Sequence, residues 1–267
     1  MRHLHSVRSN ILTALLFAFC LNVFAQESVP MGEYIATEYV VDSDTLLYRI
    51  MYPNDFDESK SYPLVVFLHG AGERGNNNTS QLAHGSKLFM DSLDKYPAVV
   101  IFPQCPRESY WSNVDVDRSG NRPRFQFKDG GEPTIPLTLV MDLMDKTIAE
   151  PYIDNDRVYL SGLSMGGMGA WELLWRIPEK LAAAMPICGG GSPKMAQKMI
   201  DVPIWAFHGK LDDIVPPHYS VSMIRAVQEE GGKAKVTIYP NANHNSWDPT
   251  FAEPDYLKWM FSNKRMK

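Results

Sequence analysis

Apolar residues in this chain fall into two alternating patterns. Leu64-Val65-Val66-Phe67-Leu68 and Ala98 to Phe102 are continuous apolar runs of strand length, as expected for strands covered on both faces of a parallel sheet. Strands are also predicted at Ala182 to Ile187, Ile204 to Phe207 and Lys235 to Tyr239. Between these runs the period changes. Pro136 to Glu150 places Leu139, Val140, Leu143, Met144 and Ile148 on one helical face, and Ala170, Trp171, Leu174 and Trp175 do the same. Further helices are predicted just after Gly189-Gly190-Gly191, near Val221 to Glu229 and from Asp255. Glu33 to Val41 and Asp44 to Tyr52, separated by Asp42-Ser43, predict an opening antiparallel hairpin. Strands that alternate with helices imply an α/β fold: a mostly parallel sheet with helices on both faces. Ser112 to Glu132 shows no clear period and is expected to be a long surface loop, a functional rim or a flap.

One strand-to-helix junction carries chemistry. Val158 to Leu160 leads into Ser161-Gly162-Leu163-Ser164-Met165-Gly166-Gly167, which fits G-x-S-x-G. In such a turn, strand and helix come so close that only hydrogens fit two residues either side of the serine. The turn lifts the Ser164 hydroxyl clear of the sheet and aims the Met165 N–H at any oxyanion forming there. A phosphate cradle is the other glycine-rich reading, but no Lys-Ser/Thr pair closes the motif.

A nucleophilic serine needs a base and an acid to orient that base. Trp205-Ala206-Phe207-His208-Gly209-Lys210-Leu211-Asp212-Asp213 places two carboxylates just past a buried strand, so either Asp212 or Asp213 can serve. Tyr239-Pro240-Asn241-Ala242-Asn243-His244 places an imidazole just past the next strand. His208 sits on the strand that carries the acid, and His84 and His218 lack a matching loop, so His244 is the expected base. After the first buried strand, His69-Gly70-Ala71-Gly72-Glu73-Arg74-Gly75 offers the Ala71 N–H as a second oxyanion donor, with His69 bracing the loop. Trp111 and Trp247 are candidate surfaces for an aromatic or sugar substrate, or else aromatics of the core or rim.

The order Ser164, Asp212 or Asp213, His244 resembles the α/β-hydrolase superfamily over nearly all of the chain after residue 25. The stretches Leu68 to Gly75, Gly162 to Gly167, His208-Gly209 with Asp212 and Val215-Pro216, and His244 to Trp247 resemble secreted carbohydrate esterases that include feruloyl esterases. Those are related to the dienelactone hydrolase and phospholipase/carboxylesterase groups. The resemblance implies that the acid stands three residues after the His-Gly pair, at Asp212. It also implies a serine esterase acting on feruloyl or acetyl esters of plant polysaccharide or oligosaccharide, with neither cofactor nor metal. A prolyl oligopeptidase-like peptidase is the enzymatic alternative, although such enzymes carry a large extra domain for which the chain leaves no room. A binding protein on the same fold would be expected to lack a triad member.

Composition adds the setting. With 45% hydrophobic and 21% charged residues, the 267-residue chain has the balance of an ordinary globular protein, and one domain over residues 26–267 is expected. Residues 1–25 read as a secretory signal: Arg2 and Arg8, then an apolar stretch from Ile11 to Phe24, then Val23-Phe24-Ala25 as a cleavage site. The apolar stretch is shorter than the roughly 20 residues that span a bilayer, so export to the periplasm or exterior is expected, with no integral membrane segment left after cleavage. Losing two arginines and no acids takes the formal charge from -5 to -7, which argues against nucleic acid as a partner. Cys105 and Cys188 remain, free or paired.

Overall fold

The computed structural model describes residues 32–120 and 122–265, so the signal segment predicted over residues 1–25 lies outside the described residues. The predicted hairpin is β1 (Ile35–Val41) and β2 (Asp44–Met51), paired antiparallel from Ile35 opposite Ile50 to Val41 opposite Asp44. The sheet continues through β3 (Tyr62–Leu68), a 3-10 turn at Ala71–Glu73, the short helix α1 (Ser86–Asp91) and β4 (Val99–Gln104). After β4 come β5 (Val114–Asp117), β6 (Arg124–Phe127), α2 (Ile135–Ile148), β7 (Ile153–Leu163), α3 (Met165–Arg176) and β8 (Ala183–Ile187). A 3-10 segment at Pro193–Met199 precedes β9 (Ile204–Gly209), α4 (His218–Glu229), β10 (Ala234–Tyr239), α5 (Trp247–Phe251) and α6 (Tyr256–Ser262).

Eight strands form one sheet in the order β1-β2-β4-β3-β7-β8-β9-β10, with every neighbouring pair from β4 to β10 parallel. This is the architecture that the alternating pattern implies. The central strand shows how it is covered. Leu64, Val66 and Leu68 pack with Leu139, Val140, Trp171, Leu174 and Ile224 from α2, α3 and α4. Val65 and Phe67 point the other way and pack with Phe89 of α1 and Tyr256 and Met260 of α6. A continuous apolar run therefore feeds two cores at once.

The segment expected to be a loop is different in the structure. Val114–Asp117 and Arg124–Phe127 pair antiparallel as a separate two-stranded ribbon. The alternation Val114-Asp115-Val116-Asp117 is strand-like, but four residues are too few to stand out among the surrounding Asp, Arg and Gly residues. Its apolar side forms a third small core in which Val114, Val116, Phe125 and Phe127 meet Met168, Val215 and Tyr219. The hydroxyl of Tyr219 accepts the Phe125 N–H at 3.0 Å. At its base, the buried Glu172 carboxylate of α3 accepts from Ser112 Oγ at 2.8 Å and from the Asn113 N–H at 2.6 Å.

The strand-to-helix junction is as tight as its glycines suggested. A Cβ at Gly162 would lie 2.5 Å from the Gly166 carbonyl oxygen, and one at Gly166 only 2.0 Å from the Leu68 carbonyl oxygen. Both obstacles are backbone, so neither can rotate away. Gly166→Ala is therefore expected to cost about 3 kcal/mol or more, or to prevent folding. Urea denaturation and soluble yield measure this, and a near-neutral result would show that the junction can open.

Candidate active site

Ser164 follows β7 directly and caps the N-terminus of α3 with φ 55° and ψ -117°, a backbone conformation that L-residues rarely adopt. Its N–H bonds to the Ile187 carbonyl of β8 at 2.9 Å, and its carbonyl starts α3 by accepting from Met168 at 2.9 Å. Those two bonds and the glycine contacts hold the strained residue in place. Its hydroxyl then lies 2.9 Å from His244 Nε2.

His244 and Asp212 come from the loops after β10 and β9, which are joined to each other. The Lys210 N–H donates to the Tyr239 carbonyl at 2.9 Å and the Leu211 N–H to the Ala242 carbonyl at 3.0 Å. Gly209 lets the loops touch, since a Cβ there would lie 2.1 Å from the Asn243 carbonyl oxygen. His244 Nδ1 is 2.8 Å from Asp212 Oδ2. Asp212 is only 3% exposed, and its Oδ1 accepts the N–H groups of Ile214 at 3.0 Å and Val215 at 2.8 Å. Asp213 is exposed, and of the two acids it is Asp212 that the structure brings to the histidine.

Burial alone would push the Asp212 carboxyl up. Hydrogen bonds from His208 and His244, together with the Val215 N–H, outweigh it and hold the group down to about 2. The charged form is therefore the one that the folded protein stabilises. His208, rejected above as the base, is fully buried, with Nε2 3.2 Å from Asp212 Oδ2.

On the other side of Ser164 lies the loop after β3. Ala71 opens the 3-10 turn and Met165 opens α3, and first-turn N–H groups have no acceptor within their own helix. His69 is buried, and its Nε2 accepts the Cys105 N–H at 2.9 Å, which leaves the proton on Nδ1 to donate to the Gly70 carbonyl at 2.6 Å. Burial lowers its imidazole to about 4, so it braces the loop as a neutral ring. Arg74 ties the same loop down by donating to the Ala71 carbonyl at 3.0 Å and the Ser109 carbonyl at 3.0 Å. Sequence reading gave Arg74 no role; its place in a glycine-rich loop was the available signal, since such loops need side chains to hold them.

A cavity of about 300 Å³ opens at Ser164, with Ala71, Tyr110, Phe125, Val215, His244 and Trp247 among its walls. Arg118 and Phe125 bring the β5-β6 ribbon to its rim. Trp247 stands edge-on to the His244 ring at 5.6 Å and is partly exposed, where a ligand can reach it. Trp111 is not. It is fully buried, and its Nε1–H donates to the His69 carbonyl at 3.1 Å. The expectation that Trp111 meets substrate is therefore corrected: the ring supports the loop from behind.

Among the described residues, Cys105 and Cys188 are free and buried, and burial pushes the Cys105 thiol up to about 12 and the Cys188 thiol higher still. Among the described residues, Cys188, Asp212 and His244 could together hold a metal ion, with ligand atoms all within 4.8 Å of one another. Two of the three already bond to each other and to Ser164, so a metal there would have to break those bonds. Among the described residues no helix is long and apolar enough to cross a membrane.

Known proteins resemble this arrangement. The sequence profile of the Phospholipase/Carboxylesterase family matches residues 56–253. A solved thermostable esterase superposes with a TM-score of 0.77 at 34% identity, covering 88% of this chain and 64% of that one. The Bifunctional acetylxylan esterase/xylanase XynS20E of Neocallimastix patriciarum is 31% identical over 57% of this chain and 20% of its own length. Dipeptidyl-peptidase 5 of Porphyromonas gingivalis is 24% identical over 76% of this chain and 33% of its own length. The chain thus spans a third or less of these two curated relatives.

Two measurements probe the site. The charged Asp212 contributes stability above its unfolded value near 3.8, and that contribution fades as the pH falls toward 2. Across this window wild type is expected to lose about 2 kcal/mol more than Asp212→Asn, read from denaturant unfolding at several pH values, and parallel curves would contradict the assignment. Trp111→Phe leaves the His69 carbonyl without its donor, and a stability loss of about 1–3 kcal/mol is expected with KM little changed. A KM effect without a stability effect would return the ring to the substrate.

Proposed function

The chain belongs to the phospholipase/carboxylesterase family, and from that premise we propose that it is an exported serine esterase whose residues 26–267 act as one catalytic domain. One observation carries the reading: the Ser164 hydroxyl, the His244 ring and the Asp212 carboxylate form an unbroken hydrogen-bonded line, 2.9 Å and 2.8 Å in its two steps. In that line Asp212 holds the proton on Nδ1, so that Nε2 presents its lone pair to the serine. Ser164 attacks the ester carbonyl as its proton passes to Nε2. The N–H groups of Ala71 and Met165 stabilise the oxyanion, and Asp212 balances the imidazolium. His244 then protonates the departing alcohol, giving the acyl-enzyme. Water, deprotonated by His244, attacks the acyl-enzyme, and the acid leaves as Ser164 recovers its proton.

The substrate proposed is an acyl decoration, feruloyl or acetyl, on plant polysaccharide or its oligosaccharides. Similarity to the acetylxylan esterase supports the class of ester. Aromatic walls at Tyr110, Phe125 and Trp247 suit a flat acyl group or a sugar face. The predicted leader supports a periplasmic or extracellular site of action, where such polymers are found. A peptidase activity is the second reading, favoured by the likeness to a dipeptidyl peptidase.

Assays with p-nitrophenyl acetate, methyl ferulate, acetylated xylan and a prolyl dipeptide anilide separate these readings. Wild type is expected to cleave the esters, and Ser164→Ala to lower kcat by on the order of 10⁴-fold or more. Turnover of the anilide alone would transfer the assignment to a peptidase. Turnover of none would leave a binding protein.

A further inference from the structure

His208 lies outside the line from serine to acid, yet its surroundings dictate its charge. Its Nδ1 is 2.8 Å from the Ser220 hydroxyl, which is itself 2.9 Å from the Gly189 carbonyl. Its Nε2 is 2.7 Å from the Val215 carbonyl and 3.2 Å from Asp212 Oδ2. A carbonyl can only accept, so the single hydroxyl hydrogen of Ser220 goes to Gly189. Nδ1 must then supply the proton for its own bond to the hydroxyl oxygen. Nε2 faces a carbonyl and a carboxylate that also cannot donate, so it too must carry a proton. His208 and Ser220 are fully buried, and any other arrangement sets two lone pairs against each other where no water can intervene.

We propose that His208 is a standing imidazolium that shares the Asp212 carboxylate with His244, a positioning residue that extends the base action of His244 to lower pH. The proposal rests on the triad reading above. With one cation already on Asp212, a resting proton on His244 would place a second positive charge across the same carboxylate, and like charges so arranged disfavour each other. His244 is thereby kept free to accept the serine proton.

Other groups around His208 do not supply the same effect. Asp212 is the carboxylate within ion-pair distance of it among the described residues. Asp213, on the same loop, is exposed. From the end of β8 comes the Cys188 thiol, which burial keeps protonated and neutral. On α4, His218 is exposed and the Tyr219 hydroxyl accepts the Phe125 N–H of the ribbon. Ile238, an uncharged neighbour, stands opposite His208 on β10, with Tyr239 next along that strand.

Two readouts test this. In 15N-histidine-labelled Ser164→Ala protein, which tests His208 without turnover, long-range 1H–15N correlations at neutral pH should show both ring nitrogens of His208 protonated, the signals being assigned by their loss in His208→Gln. A ring with one protonated nitrogen overturns the proposal. In the active enzyme, His208→Gln keeps an N–H for the Val215 carbonyl but removes the charge. The acidic limb of its kcat/KM profile on p-nitrophenyl acetate should move upward by about 1 pH unit. A merely structural role would lower the profile without moving the limb, and that result overturns the proposal. Should His208→Gln fail to fold, Ser220→Ala removes the acceptor of Nδ1–H and should move the limb the same way by a smaller amount; an unmoved limb again counts against it. Absence of ester turnover in wild type would count against the triad, while the ring signals would still report the charge of His208.

Discussion

A carboxylate removed from water at the end of β9 organises the edge of the sheet at which Ser164 and His244 meet. Asp212 is almost wholly buried, and an ionised group in that position persists only if donors replace the water it has lost. Those donors come from three places: the N–H groups of Ile214 and Val215 in its own loop, His244 from the loop after β10, and His208 from β9 itself. Satisfying one charge thus fixes the path of two loops and the orientation of two imidazole rings. The direct bonds between the two loops then hold His244 where its other nitrogen meets Ser164.

The opposite wall is built on a different principle. In the loop after β3 the side chains satisfy backbone carbonyls and N–H groups rather than a buried carboxylate: the buried His69 and Trp111 and the partly buried Arg74 serve there. His69 takes one N–H and gives one proton, Trp111 donates to the His69 carbonyl, and Arg74 spans two further carbonyls. Cys105, Ser109 and Trp111 all lie in the segment after β4, so that one segment, through His69 and Arg74, holds the loop carrying Ala71. In the proposed mechanism such preorganisation would matter, because donors that must reorient during a reaction contribute less to stabilising an oxyanion.

What sequence could reveal follows this division. The sheet, its flanking helices and the elbow were legible because long apolar runs, helical periods and steric glycines are local signals. Ser164 and His244 could be paired because each lies in a loop or turn that follows a strand, and Asp212 was preferred to Asp213 only through the resemblance to the esterase families. Trp111 was misread since an aromatic residue after a strand looks the same whether it faces a ligand or a carbonyl; only its complete burial decides. The ribbon was missed because its four-residue strands are stabilised by contacts with Met168, Val215 and Tyr219, all distant in sequence. The partnership of His208 with Ser220 and Asp212 was equally invisible, being a matter of where hydrogens can go around one buried ring.

The same division separates the proposed triad from the rim of the cavity. The groups of the proposed triad stand at the ends of sheet strands, and their positions are fixed by backbone contacts within the main sheet and by Asp212. The cavity rim at Arg118 and Phe125 belongs instead to the ribbon, which rests on its own small core and is tied to the body through Tyr219 and Glu172. Altering a rim side chain therefore need not disturb the line from Asp212 to Ser164. Altering Glu172 or Tyr219 would instead loosen the ribbon as a whole, because their bonds tie it to the body. Under the proposed esterase function, the ribbon is the part that would select the acyl group and the sheet edge the part that would set the rate of cleavage.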